Sequence, residues 1–317
     1  MDYQRSKKRK NPVMRVLLWI IGILLILVLL AIAYLAFKIF STGGAIHNPL
    51  NREHSALRSS QVNMDKGEPI SIALFGIDSN AQRQQQHDGQ RSDTIMLLSI
   101  NPDKKTSEII SIPRDTRAEI VGRGTTEKIN HAYAYGGPDM AVKSLEKLMN
   151  VPIDHYATVD MDGLKDTIDT VGGIDVVSNA TFTAQGQTFT QGQKAHLDGD
   201  QAMAFIRSRK ESGAGGDFGR QERQQLVLQG LANKLTSVSS ITNFNGLMNQ
   251  LSDNVKTDMT LGELNTFRSN YKEGNETVNR HQLQGSDTTG EDGLYYFVPD
   301  ENSKQQIVQR YRDNLGL

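Results

Sequence analysis

Cysteine is absent from the 317-residue chain. This excludes a disulfide framework and thiol chemistry, and fits an exported protein that folds without covalent staples. The histidines, His131, His155 and His196 among them, are scattered and show no metal-ligand spacing. There is no Gly-x-Ser-x-Gly elbow, no P-loop and no dinucleotide-type glycine fingerprint, and no internal repeat. An excess of positive charge is also missing. Residues 1–15 hold six Lys or Arg and one Asp, so the rest of the chain carries −6 against a whole-chain net charge of −1. A mildly acidic body argues against general nucleic-acid binding, which needs a basic surface.

What is present begins with one apolar run. Residues 16–37 carry no charge and are rich in Leu, Ile and Val. At about 22 residues the run can cross a hydrocarbon core of roughly 30 Å as a helix. Arg5, Lys7, Lys8, Arg9, Lys10 and Arg15 precede it. Positive charge beside a span stays cytoplasmic, so residues 1–15 are expected as a cytoplasmic tail and the remainder outside a cell membrane crossed once. Trp19 and Tyr34 suit the two interfaces. Ala31-Ile32-Ala33 resembles a signal-peptide cleavage site, but the run exceeds the ~7–15 residues of a cleaved leader's apolar core.

Residues 38–66 are polar, with Gly43-Gly44, Pro49 and Ser59-Ser60, and read as an extracytoplasmic stalk. Residues 67–317 suffice for one large domain. Apolar runs at 69–77, 94–100 and 107–112 predict buried strands, the last two separated by the turn Asn101-Pro102-Asp103. The Gln-rich stretch 82–90 reads as a surface loop. Helical spacing is expected at 139–149, 163–171, 198–205 and 218–235. The tail from Ser239 holds two further helix candidates, a strand at Tyr295-Tyr296-Phe297-Val298 and a final helix. The interleaving predicts an α/β class, a sandwich around one mostly central sheet whose strand order is not legible.

Two clusters of arginines and acids carry the chemistry. The first is Gly76-Ile77-Asp78, Arg91-Ser92-Asp93 and Pro113-Arg114-Asp115. The second is Arg207-Ser208-Arg209 and Asp217-Phe218-Gly219-Arg220-Gln221-Glu222-Arg223-Gln224. Convergent guanidiniums suit phosphate oxygens, and acids among them can hold a hard divalent cation. The two clusters would make a pyrophosphate site if the fold brings them together. Each element also has a plainer reading. Asp78 can cap a turn and Asp93 can pair with Arg91. Arg114 and Asp115 leave a strand end, where ligands gather, or form a structural ion pair. Arg207 and Arg209 share one side if extended and diverge in a helix; with Lys210 they can be a solvated basic surface. Asp217, Arg220 and Gln224 fall on one helical stripe with Arg223 beside it, a stripe that an ordinary amphipathic helix would also show. The glycine-rich 212–216 before them could open and close over a ligand.

Eight motifs in order give the chain a family resemblance. They are Leu74-Phe75-Gly76-Ile77-Asp78, Arg91-Ser92-Asp93-Thr94-Ile95-Met96, Ser111-Ile112-Pro113-Arg114-Asp115-Thr116 and Lys128-Ile129-Asn130-His131-Ala132-Tyr133. Tyr135-Gly136-Gly137, Val171-Gly172-Gly173-Ile174-Asp175-Val176, Leu197-Asp198-Gly199-Asp200-Gln201-Ala202 and the arginine run of 207–224 complete the set. Over about 70–235 the chain resembles the LytR-CpsA-Psr family of bacterial cell-envelope proteins.

The resemblance implies an α/β/α sandwich around a central mixed β-sheet, and transfer of a glycopolymer phosphate (teichoic acid, capsule or similar) from a polyprenyl-pyrophosphate carrier to a peptidoglycan sugar hydroxyl. Asp78 and Asp93 would be ligands of Mg2+, or Mn2+ in its place. Arg91, Arg114, Arg207, Arg209 and Arg220 would clamp the pyrophosphate, with Gln224 assisting, Lys128 as a further phosphate contact and Asp217 orienting the arginines. Arg114, Asp93, Arg207, Arg209 and Arg220 would carry catalysis. An apolar tube for the lipid tail is also implied, its lining not legible from sequence. Hydrolysis with water as acceptor would use the same residues. A non-catalytic lipid-phosphate sensor would need no metal-type acids, and a cytoplasmic tail of about 15 residues disfavours a transcription regulator.

Overall fold

The computed structural model describes residues 46–77, 90–235 and 253–317. The expected span at 16–37 and most of the Gln-rich stretch lie outside them. Among the described residues no helix is long and apolar enough to cross a membrane.

Three strands, β1 (Ile70–Ile77), β2 (Ser92–Asn101) and β3 (Thr106–Ile112), pair antiparallel at the centre of a sheet. A hairpin of β4 (Arg117–Ile120) and β5 (Thr125–Lys128) follows, and then α1 (Asn130–Met149). Strand β6 (His155–Asp160) returns parallel to β1 and leads into α2 (Met161–Thr170). Next come β7 (Ile174–Val177), the small hairpin β8 (Phe182–Ala184) and β9 (Gln187–Phe189), and β10 (Lys194–Leu197), which pairs with β7. Two helices succeed them, α3 (Gly199–Arg207) and α4 (Gly216–Leu235). Then β11 (Val255–Thr257) adds antiparallel to β6, followed by α5 (Leu261–Asn270). Strand β12 (Thr277–Gln282) adds parallel to β3. Hairpin β13 (Gly285–Thr289) and β14 (Tyr295–Pro299) and helix α6 (Glu301–Leu315) end the chain. The main sheet is therefore mixed, in the order β11-β6-β1-β2-β3-β12.

Period-two alternation divides the core. Ala73, Phe75, Ile95, Leu97, Ile110 and Ile112 face a cluster with Leu145 of α1 and Tyr311 of α6. Ile70, Ile72 and Ile100 face the opposite way, toward Met259 and Tyr271, with Leu264 and Phe267 of α5 beside them. Such strands, buried on both faces, read as nearly continuous apolar runs. A further cluster joins α2, α3 and α4 to the small strands through Leu164, Phe182, Phe205 and Val227.

Two regions differ from the sequence expectation. Helix α1 begins at Asn130 rather than 139, with non-helical backbone at Gly136 and Gly137. Gly137, at φ 59° and ψ −154°, adopts a conformation that only glycine takes readily. The glycine pair is thus a kink between a short helical segment from Asn130 and the helix expected at 139–149. The polar residues 46–66, expected as stalk, lie along the domain within one compact unit, Ala45–Leu317. Arg52 pairs with Glu146 and Arg58 with Asp154, each at 2.6 Å, and Asn48 Nδ2 donates to Tyr156 Oη at 2.8 Å. Ile46 and Met64 are buried. Most of these contacts are charged or polar, so hydrophobic patterning carries no sign of them.

Candidate active site

The site opens on a bulge. Gly76 pairs with Thr94 but Ile77 pairs with Ser92, so Asp93 is the extra residue on β2. A bulge re-aims a side chain and is common beside active sites. Asp93 here lines a cleft with Thr94, Ser111, Arg114, Arg220, Gln221 and Gln224. The two clusters that lie more than a hundred residues apart in sequence thus share one cavity, of about 290 Å3 to its mouth.

Arg114 is the centre of its charge network. Its Nη1 stands 3.0 Å from Asp93 Oδ1 and its Nε 3.5 Å from Asp115 Oδ2. Asp115 Oδ1 also accepts from Lys128 Nζ at 2.8 Å. Burial works against the Arg114 charge, but the carboxylates of Asp93 and Asp115 outweigh it and hold the guanidinium above its ordinary pKa. Arg114 therefore stays a cation at any working pH.

Helix α4 brings the second cluster. Arg220 and Gln224 are four residues apart, on one face, and both line the cleft. Gln225 Nε2 donates to Ser111 Oγ at 2.5 Å, fixing α4 against β3. Arg223 is wholly buried. Its Nε donates to Phe205 O at 2.8 Å, its Nη1 to Ala214 O at 2.8 Å and its Nη2 to Ser208 O at 2.5 Å. The guanidinium lies 4.7 Å from the Phe182 ring centroid. Desolvation pulls its pKa down, opposed by the charges of Glu211 and Glu222. Ser208 is buried while Arg207 and Arg209 are exposed. Arg207 closes α3, the chain leaves the helix at Ser208 with φ −58° and ψ 129°, and Arg223 holds the Ser208 carbonyl.

An apolar pocket adjoins the cleft and shares Thr94 and Gln224 with it. Leu74, Phe75, Val159, Met161, Leu164, Ile206 and Leu228 complete its wall with Gly76. A Cβ at Gly76 would lie 2.9 Å from Thr94 Cβ and 3.0 Å from Met161 Sδ, so glycine keeps this junction open.

Beyond the cleft, Arg123 Cζ sits 3.9 Å from the Tyr135 ring centroid, and Tyr135 Oη donates to Glu127 Oε2 at 2.8 Å. Burial pushes the Glu127 carboxyl up, yet hydrogen bonds from His131, Thr125 and Tyr135 prevail and hold it at about 2. The charge of Arg91 reaches the same Tyr135 phenol.

The donor set suits a hard cation. Asp93 is accompanied by the Thr94 hydroxyl, buried without a hydrogen-bond partner. Among the described residues no group of three or more His, Cys, Asp or Glu forms an all-protein cage. Mg2+ is ordinarily held by one or two carboxylates with substrate phosphates completing the shell, so this sparse oxygen set fits it.

Of the residues expected from sequence, Asp93, Arg114, Arg220 and Gln224 converge on the cleft and Lys128 joins through Asp115. Arg207 and Arg209 lie on the segment held by Arg223 and are not among the residues lining the cleft, and Arg91 lies toward Tyr135. Asp78 and the Asp217 side chain lie outside what is described. Reading the sequence missed Thr94 and Gln221 as lining residues and gave Arg223 no role. The bulge that frees Asp93 has no sequence signature.

The LytR_cpsA_psr family model matches residues 33–313. A polyisoprenyl-teichoic acid–peptidoglycan teichoic acid transferase TagU of Bacillus mycoides is 40% identical over 308 residues, spanning 96% of this chain and 98% of its own. Among solved structures, one described as a transcriptional regulator from Enterococcus faecalis superposes with TM-score 0.69 at 37% identity, over 81% of this chain and 91% of its own. TagT bound to LIIa-WTA superposes with TM-score 0.68 at 29% identity, over 86% and 100%.

Proposed function

The chain belongs to the LytR-CpsA-Psr family, and on that premise we propose that it transfers teichoic acid from a polyisoprenyl-pyrophosphate carrier to peptidoglycan. The observation that carries this reading is the junction of two unlike cavities. A cleft lined by Arg114, Arg220 and Asp93 meets an apolar chamber lined by Leu74, Phe75 and Leu228. A lipid pyrophosphate has the same two halves. Its prenyl chain matches the apolar lining of the chamber, against which each buried methylene contributes about 0.8 kcal/mol. Its pyrophosphate fits the guanidiniums, whose planar forks match phosphate oxygens.

In the reaction, an acceptor sugar hydroxyl attacks the phosphorus next to the glycopolymer. The new P–O bond forms as the bond to the polyisoprenyl phosphate breaks. The hydroxyl's proton passes to the surrounding water, and polyisoprenyl monophosphate departs as the leaving group. Arg114, fixed between Asp93 and Asp115, is aligned before substrate arrives. A preorganised cation costs no reorganisation as charge develops on the leaving oxygens. Arg220 and Gln224 hold the pyrophosphate from the α4 side, Arg207 and Arg209 from the end of α3, and Lys128 and Arg91 from the hairpin side. A divalent cation on Asp93 and Asp78, Mg2+ or Mn2+, would neutralise phosphate charge. Asp217 would orient the arginines near it. Residues 16–37 would anchor the chain with its domain outside the cell.

The test is direct. Full-length chain in detergent is incubated with a polyisoprenyl-pyrophosphate glycopolymer, Mg2+ and peptidoglycan oligomers, alongside Asp93→Ala. Linked product that disappears in Asp93→Ala supports transfer. Monophosphate release without linked product points to hydrolysis, and binding without turnover to a sensor.

Gly76 gives a separate prediction. Gly76→Leu should raise the KM for a long-chain donor about tenfold, because the side chain intrudes where Thr94 and Met161 already close in. A soluble short-chain donor should be far less affected. Equal effects on both donors would remove the chamber from lipid binding.

A further inference from the structure

Resting on the transferase reading, we propose that Gln221, oriented by Gln282, binds the first sugar of the donor glycopolymer, the unit bonded directly to the pyrophosphate. Neither residue belongs to the set of arginines and acids that faces the phosphates. Their place in the sheet and the chemistry of the amide carry the assignment.

The donor has an order, and the sheet has the same one. A lipid-linked glycopolymer runs from prenyl chain to pyrophosphate to sugar. Along the strand order β6-β1-β2-β3-β12, the apolar chamber comes first, lined by Val159 of β6 and Leu74 and Gly76 of β1. The cleft follows over β2 and β3, with Asp93, Ser111 and Ile112 in its lining. Thr94 of β2 lines both. A tail in the chamber and a pyrophosphate in the cleft therefore direct the sugar toward β12. Gln282 closes that side. It pairs in register with Ser111 of β3, and adjacent strands lie about 4.8 Å apart. One such spacing is short, so the side chains there meet the unit next to the phosphorus and not one further along the polymer.

Helix α4 reaches over the same border. Gln225 donates to Ser111 Oγ, and one turn earlier on that face Gln221 meets Gln282. Gln282 Nε2 donates to Gln221 Oε1, while Gln221 also lines the cleft. A glutamine amide has one acceptor oxygen and two N–H donors. With its oxygen engaged by Gln282, Gln221 has N–H groups to offer the cleft. Phosphate oxygens are best met by charged, forked donors, and Arg114 and Arg220 already supply them. A neutral N–H suits a neutral acceptor, such as a sugar hydroxyl or an acetamido carbonyl. A site built to hydrogen-bond a substrate group rejects ligands that lack it. The glutamine pair thus makes the cleft selective for a sugar as well as for phosphate.

The test compares two lipids on the full chain in detergent, polyisoprenyl pyrophosphate and the same lipid carrying one sugar. Gln221→Met keeps the length of the side chain and removes the amide. It should raise the Kd of the sugar-bearing lipid about tenfold, the scale of one lost hydrogen bond, and leave that of the bare lipid as in the parent. Gln282→Met leaves the Gln221 amide present but free to turn, and should raise the same Kd about threefold. Added to Gln221→Met it should change nothing more, because it acts through an amide already gone. A further rise in that double variant overturns the orientation by Gln282. An unchanged Kd for the sugar-bearing lipid in Gln221→Met, with a melt like the parent's, overturns the sugar contact. An equal rise for both lipids overturns it in favour of a pyrophosphate contact. A parent chain that binds neither lipid overturns the transferase reading, and the sugar contact falls with it.

Discussion

Arg114→Ala should lower kcat by about 10²–10³-fold, the usual cost of deleting one preorganised donor aimed at developing charge. The protein should keep its stability. The Arg114 side chain is 40% exposed, and ion pairs at that exposure contribute little to folding. Loss of the guanidinium would leave Asp93 and Asp115 with their charge less compensated in the cleft where the pyrophosphate must bind. Donor binding should therefore weaken alongside the chemical step. Arg114→Lys tells fork from charge. A lysine keeps the cation but reaches Asp93 and a phosphate oxygen with a single point charge, so most of the loss should remain. Single-turnover rates at saturating donor, with thermal melts of each variant, give the measurement. Full activity in Arg114→Ala would remove this residue from the mechanism.

The same geometry explains why the site draws on so many separate segments. Strand β2 supplies Asp93 at its bulge, the end of β3 supplies Arg114, and α4 supplies Arg220 and Gln224. Rigid elements fix each group, and the packing of α4 on β3 through Gln225 and Ser111 sets the distance between them. A pyrophosphate is small and densely charged, so it needs donors from several directions. No single loop can surround it in that way.

The central strands were legible because their apolar runs are long and bounded by turn residues. The expected 69–77, 94–100 and 107–112 correspond to Ile70–Ile77, Ser92–Asn101 and Thr106–Ile112. Helix α3 announces itself through Asp198, whose side chain and that of Gln201 close a capping box. The β4–β5 hairpin was not legible. Arg117, Glu119, Thr125 and Thr126 are exposed, and only Ala118 and Ile120 of β4 face the core, an alternation too short to mark a strand. Its consequence for function is that Lys128, expected as a further phosphate contact, is placed at a strand end and bonded to Asp115. The position of Asp93 was legible as a residue but not as a bulge, because register depends on the partner strand. The strap 46–66 was misread for a related reason, since its contacts are ion pairs with Glu146 and Asp154 far along the chain.

Arg223→Met should destabilise the domain by about 3–5 kcal/mol, the scale of breaking a buried charged network. Methionine keeps much of the volume against Phe182 and Phe205, so the loss is mainly polar. The carbonyls of Phe205, Ser208 and Ala214 each lose a donor in the interior, and an unsatisfied buried group costs about 1–3 kcal/mol. Gly219 belongs to the same device. A Cβ there would lie 2.2 Å from Ala214 O and 3.0 Å from Arg223 Nη1, so glycine leaves room for the bond. Function should suffer beyond stability, because Ser208 sits between Arg207 and Arg209. At a temperature where the variant is still folded, turnover should fall while the apolar chamber continues to bind a prenyl phosphate. Arg223→Lys should recover part of the stability, since an ammonium can serve some but not all of three divergent carbonyls. Denaturant unfolding and lipid-phosphate binding, measured on the same preparations, separate the two effects. An Arg223→Met variant of unchanged stability and turnover would show that the 207–209 segment holds its place without the clamp.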